Sequence, residues 1–513
     1  MTHLQDAGWP RVDEGGQRSA DIAGSLCRAA QLASSGRARE ALDLLDTQPP
    51  PADAERLRLR ARCLLALGRP DAAATSLREL LALAPAEGDA WLALAVAAGQ
   101  CGLPGEAASH AQQAIELGAD PVAAGMTLAR ALFEVGRYGA SEDAFREVLR
   151  LAPGYSAAHA ALVELIWMRT GDLEDAVGAG GAAAPDSSLD VQLAHARSLL
   201  QAGATAAAAR CLEALVGRYP QHVPLLLLTA QALVESRPEA ACRLTARAVG
   251  LAPRSRPAVG LHGVALLASG KVREAAALAE RLLATSPGDI QANALRATAW
   301  RLLGDERYAA QYDYARRVTR ATIEAPTGWA SLESYLADLA GCLHELHRGL
   351  VAAPLGQSVR GGTQVELHPH RAGVAEPIRV FPDAIAPVVR EHLRRLAASE
   401  PGMDGGGAYR FDGLWTVRLG SQGYHAHHFH GRGWISSACH IEVPRMSGGE
   451  RAGWLAFGAS GYPTPRPVEA EHWVEPVPGR LTLFPSWMWH GTEAFRSEPG
   501  ANRLSVAFDI VPG

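Results

Sequence analysis

The chain has 513 residues, more than one typical domain accommodates, and 48% of them are apolar while 20% are charged. This balance is typical of a globular chain that buries large cores, so we expect two or more domains. A formal net charge of −5 gives no overall positive field, which argues against nucleic acid as a partner. No apolar run is long enough to cross a bilayer, and no signal pattern opens the chain, so we also expect no membrane association.

Cysteine is sparse in this sequence. The seven cysteines are an odd number, are widely spread and include no C-x-x-C motif. This usage fits a reducing compartment, so we expect a cytoplasmic protein. We expect the mature chain to begin near Met1, with residues 1–20 loose.

Glycine recurs at intervals of 32 to 35 residues through the first 304 residues. The positions are Gly36, Gly68, Gly102, Gly136, Gly171, Gly203, Gly270 and Gly304, with Ser236 filling the gap between Gly203 and Gly270. A period near 34 is that of tetratricopeptide repeats, in which two antiparallel helices meet at a turn and stacked pairs bury a continuous core. The sequence therefore predicts an all-α tetratricopeptide-repeat solenoid over residues 21–304.

Each unit also carries the local signals of helices. Leucines three and four residues apart form an apolar stripe, and small alanines let the helices of a pair approach closely. Several units end in proline, which cannot continue a helix. These prolines are Pro85, Pro153, Pro253 and Pro287.

The repeat pattern fades near residue 305, and we place a domain boundary there. Residues 306–346 read as two helices interrupted by a loop at 325–328. Residues 354–370 read as a loop that could fold over a pocket, and residues 385–399 as an amphipathic helix. Strands begin at 408–421, where large apolar side chains alternate with polar ones.

Histidines in the C-terminal part form a candidate metal site. His428 and His430 are two residues apart, so on an extended chain both imidazoles point to the same face and can reach one metal ion. His490, after an apolar run, is the candidate third donor, because a folded sheet can bring a distant strand alongside.

The segment 503–510 alternates strictly between apolar and polar residues, the pattern of a half-buried strand. Arg503 and Ser505 share its polar face. The guanidinium offers a planar fork of donors suited to a carboxylate, and the hydroxyl can add a hydrogen bond to the same anion. A metal site beside a carboxylate clamp suggests a bound oxoacid.

At these residues the sequence resembles the 2-oxoglutarate- and iron(II)-dependent oxygenases, specifically the bacterial branch in which such a domain follows tetratricopeptide repeats. The stretches 354–364, 428–436 and 483–491 are also similar to that branch. The resemblance implies a double-stranded β-helix (jelly roll) with flanking helices over residues 305–513. It also implies Fe(II) on His428 and His490, and 2-oxoglutarate on Arg503 and Ser505.

His430 departs from the family pattern, because most members carry an acid at this place. The expected metal ligands are therefore three histidines, His428, His430 and His490, which leave the site one charge unit more positive than two histidines and a carboxylate would.

Other assignments of the polar residues remain open. His425 and His427 have the same spacing as His428 and His430 and could be the true pair. The run of histidines could also be a solvated surface loop or an adventitious metal-binding tract. We expect His440 and Glu442 to be ordinary polar strand residues and Trp434 to be a core aromatic residue. Asp509 could be structural, and Arg503 could pair with it or with another acid.

The resemblance implies a dioxygenase that converts 2-oxoglutarate and dioxygen to succinate and carbon dioxide while hydroxylating a C–H bond. Its catalytic residues would be His428, His430, His490 and Arg503. A repeat array presents an extended concave surface, so we expect a peptide or protein substrate held in the repeat groove. Two alternatives remain: a three-histidine metal oxygenase that uses no 2-oxoglutarate, and a non-catalytic scaffold with a degenerate barrel.

Overall fold

The computed structural model describes residues 20–47, 53–179, 187–371, 373–397 and 408–513. The described residues fall into two compact units, one within Met1–Leu165 and Arg371–Gly373 and the other within Ile166–His370 and Val374–Gly513. The segment 1–20, expected to be loose, lies outside the described residues except for Ala20, which begins the first helix.

The described part of the first unit is built from antiparallel helix pairs. Its helices are α1 (Ala20–Ser34), α2 (Ala38–Asp46), α3 (Ala54–Ala66), α4 (Pro70–Leu83), α5 (Gly88–Gln100), α6 (Pro104–Glu116), α7 (Pro121–Glu134) and α8 (Tyr138–Leu151), and α9 (Ser156–Thr170) spans the boundary to the second unit. Buried alanines and leucines from consecutive helices form its cores, as where Leu42 and Leu64 meet. The predicted helical repeats are confirmed.

The second unit continues the same pattern before its sheets begin. Its helices are α10 (Leu173–Ala179), α11 (Leu189–Gln201), α12 (Thr205–Val216), α13 (Val223–Leu233), α14 (Pro238–Leu251), α15 (Arg256–Ala268), α16 (Val272–Thr285) and α17 (Ile290–Leu303). The glycines that recur in the sequence allow the backbone to turn between helices. All eight glycines named from the sequence have φ between 68° and 82°, the left-handed region that glycine enters without steric cost.

The segment after α17 differs from the predicted helix pair. It forms two short helices, α18 (Arg307–Gln311) and α19 (Tyr314–Arg317), then strand β1 (Thr319–Thr322), and only then α20 (Leu332–Leu346). The strand exists because Thr319 and Thr322 pair with Leu483 and Arg480 on a distant strand. β-Branched residues favour such pairing over a helix, so the prediction of a first long helix was wrong.

The remaining elements form two antiparallel sheets with helices beside them. They are β2 (Val359–Glu366), α21 (Glu376–Arg379), α22 (Phe381–Ala397), β3 (Tyr409–His425), β4 (Ile435–Glu442), β5 (Leu455–Phe457), β6 (His472–Val474), β7 (Arg480–Pro485), β8 (His490–Thr492) and β9 (Arg503–Pro512). One sheet has six strands in the order β1-β7-β4-β9-β3-β2, and the other has three in the order β6-β5-β8. The C-terminal part is therefore rich in sheet, and closure of the two sheets into a jelly roll stays a prediction.

The six-stranded sheet buries one face under helices and turns the other toward a cavity. Apolar residues of β4, β7 and β9 pack with α20 and α22 around buried Phe381 and Phe508. Residues 385–397 of the predicted helix 385–399 belong to α22, and residues 398–399 lie outside the described residues. Residues 409–421 of the predicted strand 408–421 belong to β3. Part of the predicted loop 354–370 is strand β2 instead, because its backbone pairs with β3 from Val359 to Glu366.

Helices of the repeat pattern and the two sheets belong to the same compact unit from Ile166 onward. Within that unit the indole of Trp167 on α9 donates a hydrogen bond to the carbonyl of Ala353 at 2.9 Å. A domain boundary near residue 305 therefore stays a prediction. Among the described residues, none of the helices combines the length and the apolar character needed to cross a bilayer.

Candidate metal centre

Three imidazoles meet at the end of the cavity. One ring nitrogen from each of His428, His430 and His490 lies within 4.8 Å of the others. The backbone brings them together: His428 and His490 form an antiparallel bridge with N–H···O distances of 2.8 and 2.9 Å. The N–H of His430 donates to the carbonyl of Ser486 at 2.9 Å. The segment between β3 and β4 is thus held against the start of β8.

Each of these rings has its Nδ1 atom tied to an acceptor. The Nδ1 of His428 donates to the carbonyl of Ala426 at 2.8 Å, and the Nδ1 of His490 donates to the carbonyl of Met488 at 2.9 Å. The Nδ1 of His430 lies 2.7 and 2.6 Å from the two carboxylate oxygens of Asp509. Because Nδ1 carries the proton in each ring, the Nε2 lone pairs remain available for a metal.

The electrostatics of the site keep the imidazoles of His428 and His490 neutral. Burial lowers the pKa of His428 and of His490 well below the usual histidine value, and the neighbouring histidines lower both further. Neutral imidazole is the form that binds metals. The Nε2 atoms of His428 and His430 are 3.1 Å apart, a separation suited to two ligands of one ion.

Asp509 is a site residue whose role the sequence pattern did not reveal. It is 7% exposed and accepts hydrogen bonds from His430 and from the hydroxyl of Ser436, the latter at 2.7 Å. The hydroxyl of Ser436 also lies 2.8 Å from that of Ser486. Asp509 therefore pairs with His430 and not with Arg503, the pairing left open above. The only available signal was its position on the polar face of β9.

His425 and His427, the alternative pair, lie outside the group of three close imidazoles. The ring of His425 stacks on that of His428 with centroids 6.0 Å apart, and its Nδ1 lies 3.1 Å from the hydroxyl of Ser358. Burial, with a smaller effect of nearby Arg503, lowers the pKa of His425 to about 3. His427 lines the cavity, and its buried Nδ1 has no hydrogen-bond partner.

Arg503 is a buried cation without an acidic partner. It is 3% exposed, and its guanidinium donates to the carbonyl of Gly453 at 2.6 Å and lies 3.3 Å from Nδ1 of His440. Its Nε has no hydrogen-bond partner, and within the described part of the chain it forms no ion pair. Burial lowers the pKa of Arg503 to about 10, so it is still charged at neutral pH. A buried charge without a counterion is energetically costly, so this guanidinium is suited to bind an anion.

His440 was expected to be an ordinary strand residue, and the structure places it beside this cation. Its side chain is fully buried, and its Nε2 lacks a partner. Burial, then the charge of Arg503, lowers the pKa of His440 well below the usual value, so its neutral Nδ1 can accept from the guanidinium. Glu442, two residues on, instead pairs with His344 at 2.8 Å. Trp434 packs against the core, as expected.

One cavity of about 700 Å³ connects these groups. Its lining includes the three close histidines together with Arg503, Ser505 and Asp509. The polar face of β9 thus points into the cavity, and Leu504, Val506, Phe508 and Ile510 point into the core, as the alternation predicted. Three imidazole donors suit a divalent first-row metal, and an unpaired buried guanidinium suits a carboxylate, so the residues present fit both groups.

Comparisons with known proteins agree with this arrangement. A family model described as "Putative 2OG-Fe(II) oxygenase" matches residues 413–509. A tetratricopeptide-repeat model matches residues 28–85, 58–124, 126–189 and 193–255. Among curated proteins, no match was found.

Solved structures with partial likeness include proteins of both kinds. A prolyl-4-hydroxylase from Pseudomonas putida is 16% identical, with 38% of this chain and 95% of that chain covered at a TM-score of 0.27. A tetratricopeptide repeat protein from Parabacteroides merdae is 15% identical, with 48% and 98% covered at a TM-score of 0.35. Together the two family models describe a chain that joins tetratricopeptide repeats, matched within residues 28–255, to a C-terminal segment that the 2OG-Fe(II) oxygenase model matches over residues 413–509.

Proposed function

We propose that the C-terminal domain is an Fe(II)- and 2-oxoglutarate-dependent dioxygenase that hydroxylates its substrate. The observation that carries the proposal is the placement, in one cavity, of three imidazoles with ring nitrogens within 4.8 Å of one another and of a buried guanidinium without an acidic partner. Either feature alone has a structural explanation. A preformed metal site and a preformed carboxylate site that share a cavity fit an oxoacid cosubstrate.

In this proposal His428, His430 and His490 hold the iron through Nε2. The carbonyls of Ala426 and Met488 fix two of the rings by accepting from Nδ1. When bound, iron and 2-oxoglutarate would supply the oxidative decarboxylation that is coupled to hydroxylation of a C–H bond.

Asp509 orients the third ring and supplies negative charge beside the metal site. The family pattern places an acid where this chain has His430, and here a carboxylate lies one hydrogen bond behind that imidazole. Such a partner raises the basicity of a ligating histidine and fixes its orientation. The Asp509 carboxylate therefore offsets part of the positive charge that replacement of an acidic ligand would leave.

Arg503 binds the distal carboxylate of 2-oxoglutarate. Its hydrogen bond to Gly453 and its contact with His440 fix the guanidinium plane, while Nε remains without a partner. Ser505 follows on the same face of β9 and adds a hydroxyl donor to the cosubstrate. A charge-assisted bond of this kind is about twice as strong as a neutral one.

The substrate we propose is a peptide or protein segment held by the helical repeats, with dioxygen as the second substrate. Stacked repeats offer an extended surface of the right shape for a polypeptide. A second candidate function follows from the three-imidazole donor set: a metal oxygenase without 2-oxoglutarate, in which Arg503 would bind a carboxylate of the substrate itself.

Anaerobic spectroscopy tests the proposal. Fe(II) followed by 2-oxoglutarate should produce a visible charge-transfer band in the wild type. Arg503→Met should bind Fe(II) and fail to develop the band at the same 2-oxoglutarate concentration, whereas Arg432→Met, which removes an exposed arginine of the same cavity, should retain it. Metal binding without a band in the wild type would favour the second candidate, and no metal binding would leave only a non-catalytic scaffold.

A further inference from the structure

Trp489, the residue before His490, forms a hydrogen bond at each of its polar atoms. Trp489 is 4% exposed, and its backbone N–H donates to the hydroxyl of Tyr312 at 3.0 Å. Its carbonyl accepts from the N–H of Gly458 at 3.0 Å. Its indole N–H donates to the hydroxyl of Thr298 at 2.9 Å. These three contacts therefore restrain the backbone directly before His490.

The same tryptophan contacts the segment that carries the other two imidazoles. Phe429 lies between His428 and His430 in the sequence, and its ring meets Trp489 edge to face with centroids 4.9 Å apart and planes at 89°. Tyr462 packs edge to face on Trp489 at 4.7 Å and on Phe429 at 5.9 Å. Phe429, Tyr462 and Trp489 thus form one aromatic cluster. This cluster joins the two segments that carry the three histidines.

Helix α17 anchors this aromatic cluster. Thr298 of α17 accepts the indole N–H of Trp489, and Ala294 and Ala297 of the same helix share its apolar core. One turn on, Arg301 donates to the carbonyl of Gly458 at 2.7 Å, the residue whose N–H binds Trp489. These contacts lie within one compact unit. Helix α17 (Ile290–Leu303) therefore belongs to the helical repeat pattern and also supports the candidate metal centre.

We infer that α17 is a positioning element for the metal centre, and that Thr298 and Trp489 are positioning residues that act through it on His490. The inference rests on the proposed function, because it takes the three imidazoles as metal ligands. Thr298 is suited to this role because its hydroxyl donates to the carbonyl of Ala294 at 2.9 Å and accepts from the indole, and it also lies 3.5 Å from the hydroxyl of Ser460. Loss of the hydroxyl leaves a buried N–H without an acceptor, so the indole must move.

A set of threonine variants in the full chain tests this role. Thr298→Val keeps the shape and removes the acceptor, whereas Thr298→Ser keeps the acceptor. Thr229→Val on α13 is the matched control, because Thr229 is also buried and its hydroxyl also donates to the carbonyl four residues earlier, Leu225 at 2.7 Å, without contact to the site. Anaerobic Co(II) titration gives metal affinity and ligand geometry, and thermal unfolding gives stability separately.

We expect Thr298→Val to weaken Co(II) binding by roughly three- to tenfold and to shift the visible Co(II) spectrum. This loss is smaller than the loss expected on removing a direct hydrogen-bond partner of a metal ligand. Thr298→Ser and Thr229→Val should bind Co(II) like the wild type. Trp489→Phe removes the indole N–H and should reproduce the effect of Thr298→Val, and the double variant should lose no more than either single variant because both remove one hydrogen bond.

Wild-type Co(II) affinity and spectrum in both Thr298→Val and Trp489→Phe would overturn the inference and leave Thr298 with a structural role only. Equal weakening by Thr229→Val would overturn it as well, because the effect would then follow general stability. A wild-type chain that binds no metal would refute the proposed function itself, and with it this role of α17.

Discussion

Asp509 faces Nδ1 of His430 with both carboxylate oxygens, at 2.7 and 2.6 Å, so the acid of this site lies behind an imidazole and not among the candidate metal ligands. The hydroxyl of Ser436 donates to the same carboxylate at 2.7 Å and restrains it. A histidine held in this way keeps the tautomer in which Nε2 carries the lone pair.

Asp509→Asn should weaken metal binding by roughly 10- to 100-fold, the usual effect of removing the carboxylate partner of a ligating histidine. The amide keeps the size of the side chain and removes its charge. Anaerobic calorimetric titration with Fe(II) measures the change. Asp412→Asn is the control, because Asp412 lines the same cavity and lies 3.5 Å from Arg432 instead of a histidine. Equal affinities for Asp509→Asn and the wild type would show that the carboxylate has no influence on the metal.

His430→Asp should retain iron and form succinate more slowly than the wild type. The aspartate is shorter than the imidazole it replaces, and its carboxylate would lie close to that of Asp509, where two negative charges repel. Iron affinity and succinate release report the two effects separately. The double variant His430→Asp with Asp509→Asn should recover part of the activity, since the repulsion is removed. Tighter iron binding with undiminished succinate formation in the single variant would mean that His430 is not a ligand.

Alanine at His428 or at His490 should lower iron occupancy strongly, because each removes one of three close nitrogen donors. Alanine at His425 or at His427 serves as the matched control and should leave occupancy near the wild-type value. Metal analysis after anaerobic loading and desalting provides the measurement. Loss of iron only in the variants of His425 and His427 would assign the metal to the other pair.

A buried histidine away from the site should make the fold sensitive to acid. His347 is fully buried between the hydroxyls of Thr363 and Thr416, and burial, then nearby Arg418, lowers its pKa to about 3 from the usual 6.5. Its folded-state pKa lies below its unfolded value, so the unfolded state binds the proton first. Protonation of His347 should therefore leave the free energy of unfolding unchanged above about pH 6.5. It should lower that free energy as the pH drops from 6.5 toward 3.

His347→Gln can retain hydrogen bonds to both threonines without taking up a proton. In this pH window its free energy of unfolding should decline less steeply than that of the wild type, by up to about 1.4 kcal/mol per pH unit. Denaturant unfolding at several pH values provides the comparison. Parallel pH profiles for the two proteins would show that His347 does not contribute to acid sensitivity.

Local patterns in the sequence predicted the parts of the fold that depend on local geometry. The turn glycines from Gly36 to Gly304 were recognisable because each takes a backbone angle that other residues avoid. The face of β9 that carries Arg503 and Ser505 followed from simple alternation.

Contacts that depend on strand register could not be predicted in this way. Strand β1 was not predicted because its four residues form a strand only through pairing with β7, which lies far along the chain. The pairing of Asp509 with His430 and the approach of His440 to Arg503 join residues 79 and 63 positions apart. Such partners become visible only when the strands are aligned. The contact of Thr298 with Trp489 could not be predicted either, because it joins helix α17 to a residue 191 positions away.

The three imidazoles and Arg503 should act as one site for iron and 2-oxoglutarate. Calorimetric titration of 2-oxoglutarate into the anaerobic Fe(II)-loaded chain, compared with the metal-free chain, distinguishes one shared site from two independent ones. One cosubstrate should bind per loaded chain, at least roughly tenfold more tightly than to the metal-free chain, since the metal and Arg503 then hold opposite ends of the same molecule. Binding of 2-oxoglutarate that is equally strong with and without iron, or no binding to the loaded chain, would contradict the claim.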